Sequence, residues 1–183
     1  MMIRLNLPTK RGVVLNGVLF KQEQARKADT VIIAITGIHG NFYSNPFYYN
    51  IGDSLNGAGM DFIYAQTNNA FDRIKNLNVN TGKEEVIGSW NERFFYTNVH
   101  TARDGDFSQA EKISHSGALL VGTYDNFTDG DPSEFLRNLN AHLPTAKENK
   151  LIFIEGTGHT YQMKHHELAD KILRQLQEWN SIR

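Results

Sequence analysis

With 183 residues, 19 Lys and Arg against 20 Asp and Glu, and a net charge of −1, the chain has length for one well-filled core and is short for two, so a single domain is expected. The interspersed charges form no basic stripe, which excludes a nucleic-acid surface. No run reaches the length of a membrane span and MMIRLNLPTK lacks the apolar centre of a signal peptide, so no membrane association and a cytoplasmic location are expected; the lack of cysteine excludes disulfides, thiolate catalysis and Cys-ligated metal.

In chain order, Ile3, Leu5 and Leu7 alternate with polar neighbours and Val13 to Phe20 reads VVLNGVLF, predicting an antiparallel hairpin joined at Pro8 to Gly12. Lys21 to Asp29 is polar and solvated. Thr30 to Ile35, TVIIAI, has no polar alternation and reads as a central strand. It runs into Thr36-Gly37-Ile38-His39-Gly40-Asn41, a loop punctuated by glycine. Phe47 to Leu55 suits a helix, with Pro46 at its first turn and Gly57 or Gly59 at its end. Asp61 to Thr67, DFIYAQT, is the next strand, completing a βαβ unit with a right-handed crossover.

Asn68 to Gly82 is rich in Asn and reads as a long surface loop. In Lys83 to Tyr96 the spacing of Val86, Ile87, Trp90, Phe94 and Phe95 is that of a helix face, interrupted by Gly88. Ser108 to Ile113 makes one helical turn. ALLVGTYD, from Ala118, is a buried strand ending on Gly122 and Asp125. Asp131-Pro132-Ser133-Glu134 offers a cap, a first-turn proline and early negative charge to a helix carrying Phe135, Leu136, Leu139 and Leu143 and stopping at Pro144. Leu151 to Ile154 is an apolar run expected to be buried on both faces, and Glu155-Gly156-Thr157-Gly158 turns from it to deliver His159. The final helix, His165 to Trp179, buries Leu168, Ile172, Leu173, Leu176 and Trp179.

Asp125 and His159 thus follow two strands separated by one helix, which places both loops on the same edge of a parallel sheet. A carboxylate bonded to one imidazole nitrogen fixes the tautomer and raises basicity at the other, as a general base for a hydroxyl requires. The plain alternative is that Asp125, Asp129 and Asp131 only cap the loop before the helix and that His159 decorates the surface. His159, His165, His166 and Asp125 could be written as metal ligands, but adjacent histidines at a helix start point apart; neither metal nor cofactor is expected.

On IAITGIHGNFYSNPF, GTYD before a DP-initiated helix, EGTGH and GSWNERF, the chain resembles the α/β-hydrolases, in particular small bacterial members of the esterase type. The resemblance spans Thr30 to Phe94 and Phe107 to Trp179. It implies Asp125 as triad acid, His159 as triad base, and Gly37, Ile38, His39, Gly40 and Asn41 as the oxyanion or substrate loop, with the Ile38 N–H as one donor. Thr36-Gly37 stands where the family commonly has His-Gly, and His39 where a glycine is usual. The family's G-x-S-x-G nucleophile elbow should fall between the two blocks and is absent. The family's fifth and sixth strands have no counterpart between Phe95 and Ser108, so an internal deletion relative to the family is expected near 95–108. Ser116, in Ser114-His115-Ser116-Gly117-Ala118, precedes its strand and falls at the wrong end of the sheet. Ser89 has no preceding strand. Ser44 is better placed, without a strained elbow around it.

The expectation is an α/β protein: a shortened α/β-hydrolase-like, mostly parallel sheet with an N-terminal antiparallel hairpin and helices on both faces. Loss of two strands would leave apolar edges beside TVIIAI and ALLVGTYD, which predicts direct pairing of these strands or a homodimer that completes the sheet. Two functions follow. One is hydrolysis of a small acyl ester by Asp125 and His159, with Phe42, Tyr43, Phe47 and Tyr48 lining the pocket. The other is a catalytically inactive relative that acts as a binding or interaction module.

Overall fold

A computed structural model describes residues 1–24, 28–35, 44–66, 74–86, 105–128 and 130–181, and the chain divides into two compact units, Met1–Trp90 and Asn91–Arg183.

The first unit is built on a four-stranded sheet of order β1-β2-β4-β3. β1 (Met2–Pro8) and β2 (Val14–Phe20) form the expected hairpin, in register from Met2 opposite Phe20 to Pro8 opposite Val14. β2 also pairs antiparallel with β4 (Asp61–Ala65), which pairs parallel with β3 (Val31–Ala34). The connection from β3 to β4 contains helix α1 (Phe47–Gly57), entered from Pro46 and left at Ala58 before Gly59 at φ +84°. α1 lies hard against β2 because Gly52 has no side chain: a Cβ there would stand 2.8 Å from the Phe20 ring. Phe20, Leu55, Phe62 and Tyr64 are almost fully buried in this core. Burial of such side chains contributes roughly 2–3 kcal/mol each.

Three sequence expectations for this unit change. TVIIAI is a terminal strand of this sheet, not a central one, and Val31, Ile33 and Ile35 are 51%, 65% and 75% exposed along one face. Its apolar composition reflects a strand able to be covered on both sides, while β4 is its only neighbour among the described residues. The Asn-rich stretch is not all loop: β5 (Lys75–Leu77) pairs antiparallel with β6 (Glu84–Val86). Its side-chain amides take backbone-like roles, with Asn76 Nδ2 donating to Val14 O at 2.5 Å and to Gln66 Oε1 at 2.6 Å, and Asn78 Nδ2 donating to Glu85 Oε2 at 2.9 Å. β6 also replaces the start of the helix expected over Lys83 to Tyr96; residues 87–104 lie outside the described residues, as does most of the proposed deletion point.

The second unit follows its reading more closely. A 3₁₀ turn (Ala110–Lys112) leads to β7 (Ala118–Gly122), helix α2 (Pro132–Ala141), β8 (Lys150–Ile154) and helix α3 (His165–Ser181). β7 and β8 are parallel, from Ala118 opposite Lys150 to Gly122 opposite Ile154. α2 starts where expected because the Asp131 carboxylate accepts from the N–H groups of Ser133 and Glu134, at 2.7 and 3.0 Å, with Pro132 at the first helical position. Leu143 falls past the helix end yet is buried with Phe107 and Ala110. β8 is half-buried, not buried on both faces, and only Ile154 is fully enclosed; among the described residues its ladder has two strands, with no further neighbour to cover more. Lys171 on α3 donates to Phe153 O at 2.6 Å and pairs with Glu167 at 3.2 Å. Bonds from Lys164 and Lys171 hold the Glu167 carboxyl below its ordinary value. Leu168 is buried, whereas Trp179, expected inside, is 36% exposed on the last turns of the helix.

Burial pushes the Tyr64 phenol well above its ordinary value of 10, and neighbouring Tyr48, itself raised by burial, adds to the shift. Unfolded phenols ionise near pH 10 and these do not, so their stabilising contribution is complete below pH 10 and is lost as pH rises through the folded values. Tyr64→Phe is expected to cost about 1 kcal/mol at pH 7 through its lost hydrogen bonds, and the gap to wild type should close or reverse at pH 11. Urea unfolding at the two pH values measures this; an unchanged gap would contradict it.

Candidate active site

The carboxyl ends of β7 and β8 are held together by their own backbones. Thr123 N–H donates to Ile154 O at 3.0 Å, Tyr124 N–H to Thr157 O at 2.9 Å, and Gly156 N–H to Thr123 Oγ1 at 2.9 Å. Such proximity requires glycine at the end of β7. A Cβ on Gly122 would be driven into the Thr157 carbonyl oxygen and would stand 2.7 Å from that of Gly158. Gly156, at φ +69°, makes the turn that brings the second loop back.

Asp125 is 6% exposed at this junction. Its Oδ1 accepts the Phe127 N–H at 2.9 Å, its Oδ2 accepts His159 Nδ1–H at 3.0 Å, and its carbonyl accepts the buried Thr128 hydroxyl at 2.9 Å. A carboxylate offers only lone pairs, so the imidazole proton on this side belongs to Nδ1, and in the neutral ring Nε2 then carries the lone pair. The His159 side chain is 58% exposed, and the Phe127 ring lies against it at 4.5 Å between centroids and 43° between planes. Beyond it, Tyr161 N–H closes a turn on Gly158 O at 3.1 Å and buried Thr157 donates to Gln162 O at 3.0 Å. Tyr161 and Met163 occupy the left-handed region at φ 53° and 63°, a conformation costing of order 1–3 kcal/mol each that the surrounding bonds must sustain. The arrangement is an exposed imidazole oriented by a buried carboxyl group, a geometry that a general base could use.

Asp125 and His159, predicted as a pair, are brought together as one. Gly37, Ile38, His39, Gly40 and Asn41, with Phe42 and Tyr43, lie outside the described residues. Phe47 and Tyr48, expected to line a pocket, belong to the aromatic cluster of the first unit, Tyr48 stacking on Tyr64 at 4.1 Å. Ser44, in the first unit, is hydrogen-bonded through its side chain to Tyr64, a phenol that stays protonated at neutral pH and so supplies no base. Ser116 precedes β7, one strand length, roughly 16 Å, from the dyad's end. His165 Nε2 meets Thr160 O at 3.1 Å, and among the described residues no group of three or more His, Cys, Asp and Glu is placed to hold a metal ion. Sequence reasoning missed Phe127. An aspartate accepting from the N–H two residues on is a common turn motif, and Asp125-Asn126-Phe127 carries it.

No protein-family model and no curated protein sequence matches the chain. Among solved structures it is similar to Est1E from Butyrivibrio proteoclasticus, with a TM-score of 0.65 at 11% identity over 97% of this chain and 99% of that one. A serine hydrolase without a lid from Xanthomonas campestris gives 0.61 at 13% identity, covering 97% and 94%. An esterase from Pyrococcus furiosus gives 0.56 at 9% identity, covering 98% and 91%. The chain has the α/β-hydrolase fold. No helix among the described residues is long and apolar enough to cross a membrane.

Because the Gly122 contact is with backbone that cannot move aside, Gly122→Ala should destabilise the protein by at least about 2 kcal/mol. A thermal midpoint within a degree of wild type would show that the two loops can part cheaply.

Proposed function

We propose that the protein hydrolyses small acyl esters, with Asp125 and His159 as acid and base and water as the group that His159 activates. The observation carrying this reading is the 3.0 Å bond between His159 Nδ1 and a 6%-exposed Asp125. In the proposed reaction Nε2 takes a proton from water as its oxygen bonds to the ester carbonyl carbon. Asp125 stabilises the imidazolium so formed, and Nε2 returns the proton to the leaving alkoxide as the C–O bond breaks, giving acid and alcohol. The fold shared with esterases supports the class of substrate. Est1E has also been solved with ferulic acid bound, which makes aromatic as well as short-chain acyl groups worth testing.

A second reading, a binding module without turnover, is favoured by the absence of G-x-S-x-G from the sequence and by the bond from Ser44 to Tyr64. Hydrolysis of a short-chain chromogenic ester and of an aromatic acyl ester separates the two. We expect His159→Ala to lower kcat by about 10²–10⁴-fold and Ser44→Ala to leave it within twofold. Activity lost in both variants would make Ser44 the nucleophile, and no turnover above buffer by wild type, His159→Ala or Ser44→Ala would establish the second reading for these esters.

Among the described residues β3 pairs only with β4, and this, with the exposed Val31, Ile33 and Ile35, supports a homodimer in which a second copy covers this strand. Ile33→Lys should then shift the sedimentation mass from two chains to one, whereas a wild-type monomer at all concentrations would rule the dimer out.

A further inference from the structure

Phe127 touches the dyad twice. Its backbone N–H occupies Asp125 Oδ1 at 2.9 Å, leaving Oδ2 for His159, and its ring lies 4.5 Å from the imidazole it faces. The ring does this at the cost of staying 59% exposed, so core packing does not account for its position. His159 is itself 58% exposed, and the Asp125 bond is the one that orients it toward its acid. Among the described residues the Asp125 bond is the one hydrogen bond to the His159 ring, so this exposed imidazole has freedom about χ1 and χ2; a change of χ1 that takes Nδ1 away from Oδ2 also takes the ring away from Phe127, so the phenyl contact holds χ1 while the Asp125 bond selects between the two half-turns of χ2.

We propose that Phe127 is a positioning residue whose ring keeps His159 in the orientation that bonds Asp125, and thereby keeps the neutral imidazole in the Nδ1–H form with its lone pair on Nε2. The backbone N–H of residue 127 survives any substitution but proline, so the ring's part can be removed alone. Aromatic pairs of this kind bias a conformational ratio by about three- to tenfold. The role depends on the geometry of the second unit and not on turnover, so failure of the ester-hydrolysis reading leaves it testable.

The test is the nitrogen NMR spectrum of the His159 ring in isotope-labelled full-length protein, at a pH where the ring is neutral, for wild type, Phe127→Ala and Phe127→Trp. The shifts of Nδ1 and Nε2 report the ratio of the two tautomers, a quantity that a merely structural loss elsewhere would not move. Phe127→Ala is expected to lower the ratio of the Nδ1–H to the Nε2–H form by about three- to tenfold, and Phe127→Trp to restore it. A Phe127→Ala ratio equal to that of wild type would overturn the proposal, as would a Phe127→Trp ratio no higher than that of the alanine variant.

Discussion

The second unit turns on a missing side chain. Because Gly122 presents only hydrogen at the end of β7, the carbonyls of Thr157 and Gly158 can close on it, and the loop after β8 is drawn across the loop after β7. The cross-loop bonds from Tyr124 and Gly156 follow from that contact. So does the burial of Asp125, which would be costly for a carboxyl group left without partners. Here each carboxyl oxygen has a donor, one from the backbone and one from His159, so burial orients the acid rather than destabilising the fold.

Much of this half of the protein was legible from local signals. The acid and histidine were readable because apolar runs ending in glycine mark buried strands with sharp exits, and Asp131-Pro132 marked the start of α2 with its cap. Tertiary contacts defeated the reading elsewhere. β5 and β6 are three residues each, too short to show a period, and their one asparagine, Asn76, is buried with bonds to Gln66 and to Val14, the latter far away in sequence. For β3 the composition spoke of a strand that suits burial but not of what lies beside it. Trp179 has the spacing of a core residue, but local periodicity does not say where the surface that would receive it ends.

The fate of Ser44 shows why a well-placed hydroxyl is a poor substitute for an activated one. Its partner is a phenol whose burial raises its affinity for its proton, so the bond holds the start of α1 to the core and does not sharpen the oxygen as a nucleophile. Asp125 and His159, by contrast, are brought together within residues 122–159, and among the described residues no serine hydroxyl is bonded to the imidazole.

The bond joining His159 to Asp125 spans 34 residues, and those residues contain one helix, Pro132–Ala141, and one strand, Lys150–Ile154, in immediate succession. Loop-closure entropy rises only logarithmically with the segment enclosed, and contacts of modest sequence separation form early and fast in folding. The pair therefore belongs to one contiguous stretch of chain. Insertions or losses upstream leave the segment between Asp125 and His159 intact, so the two side chains can still meet as the chain folds.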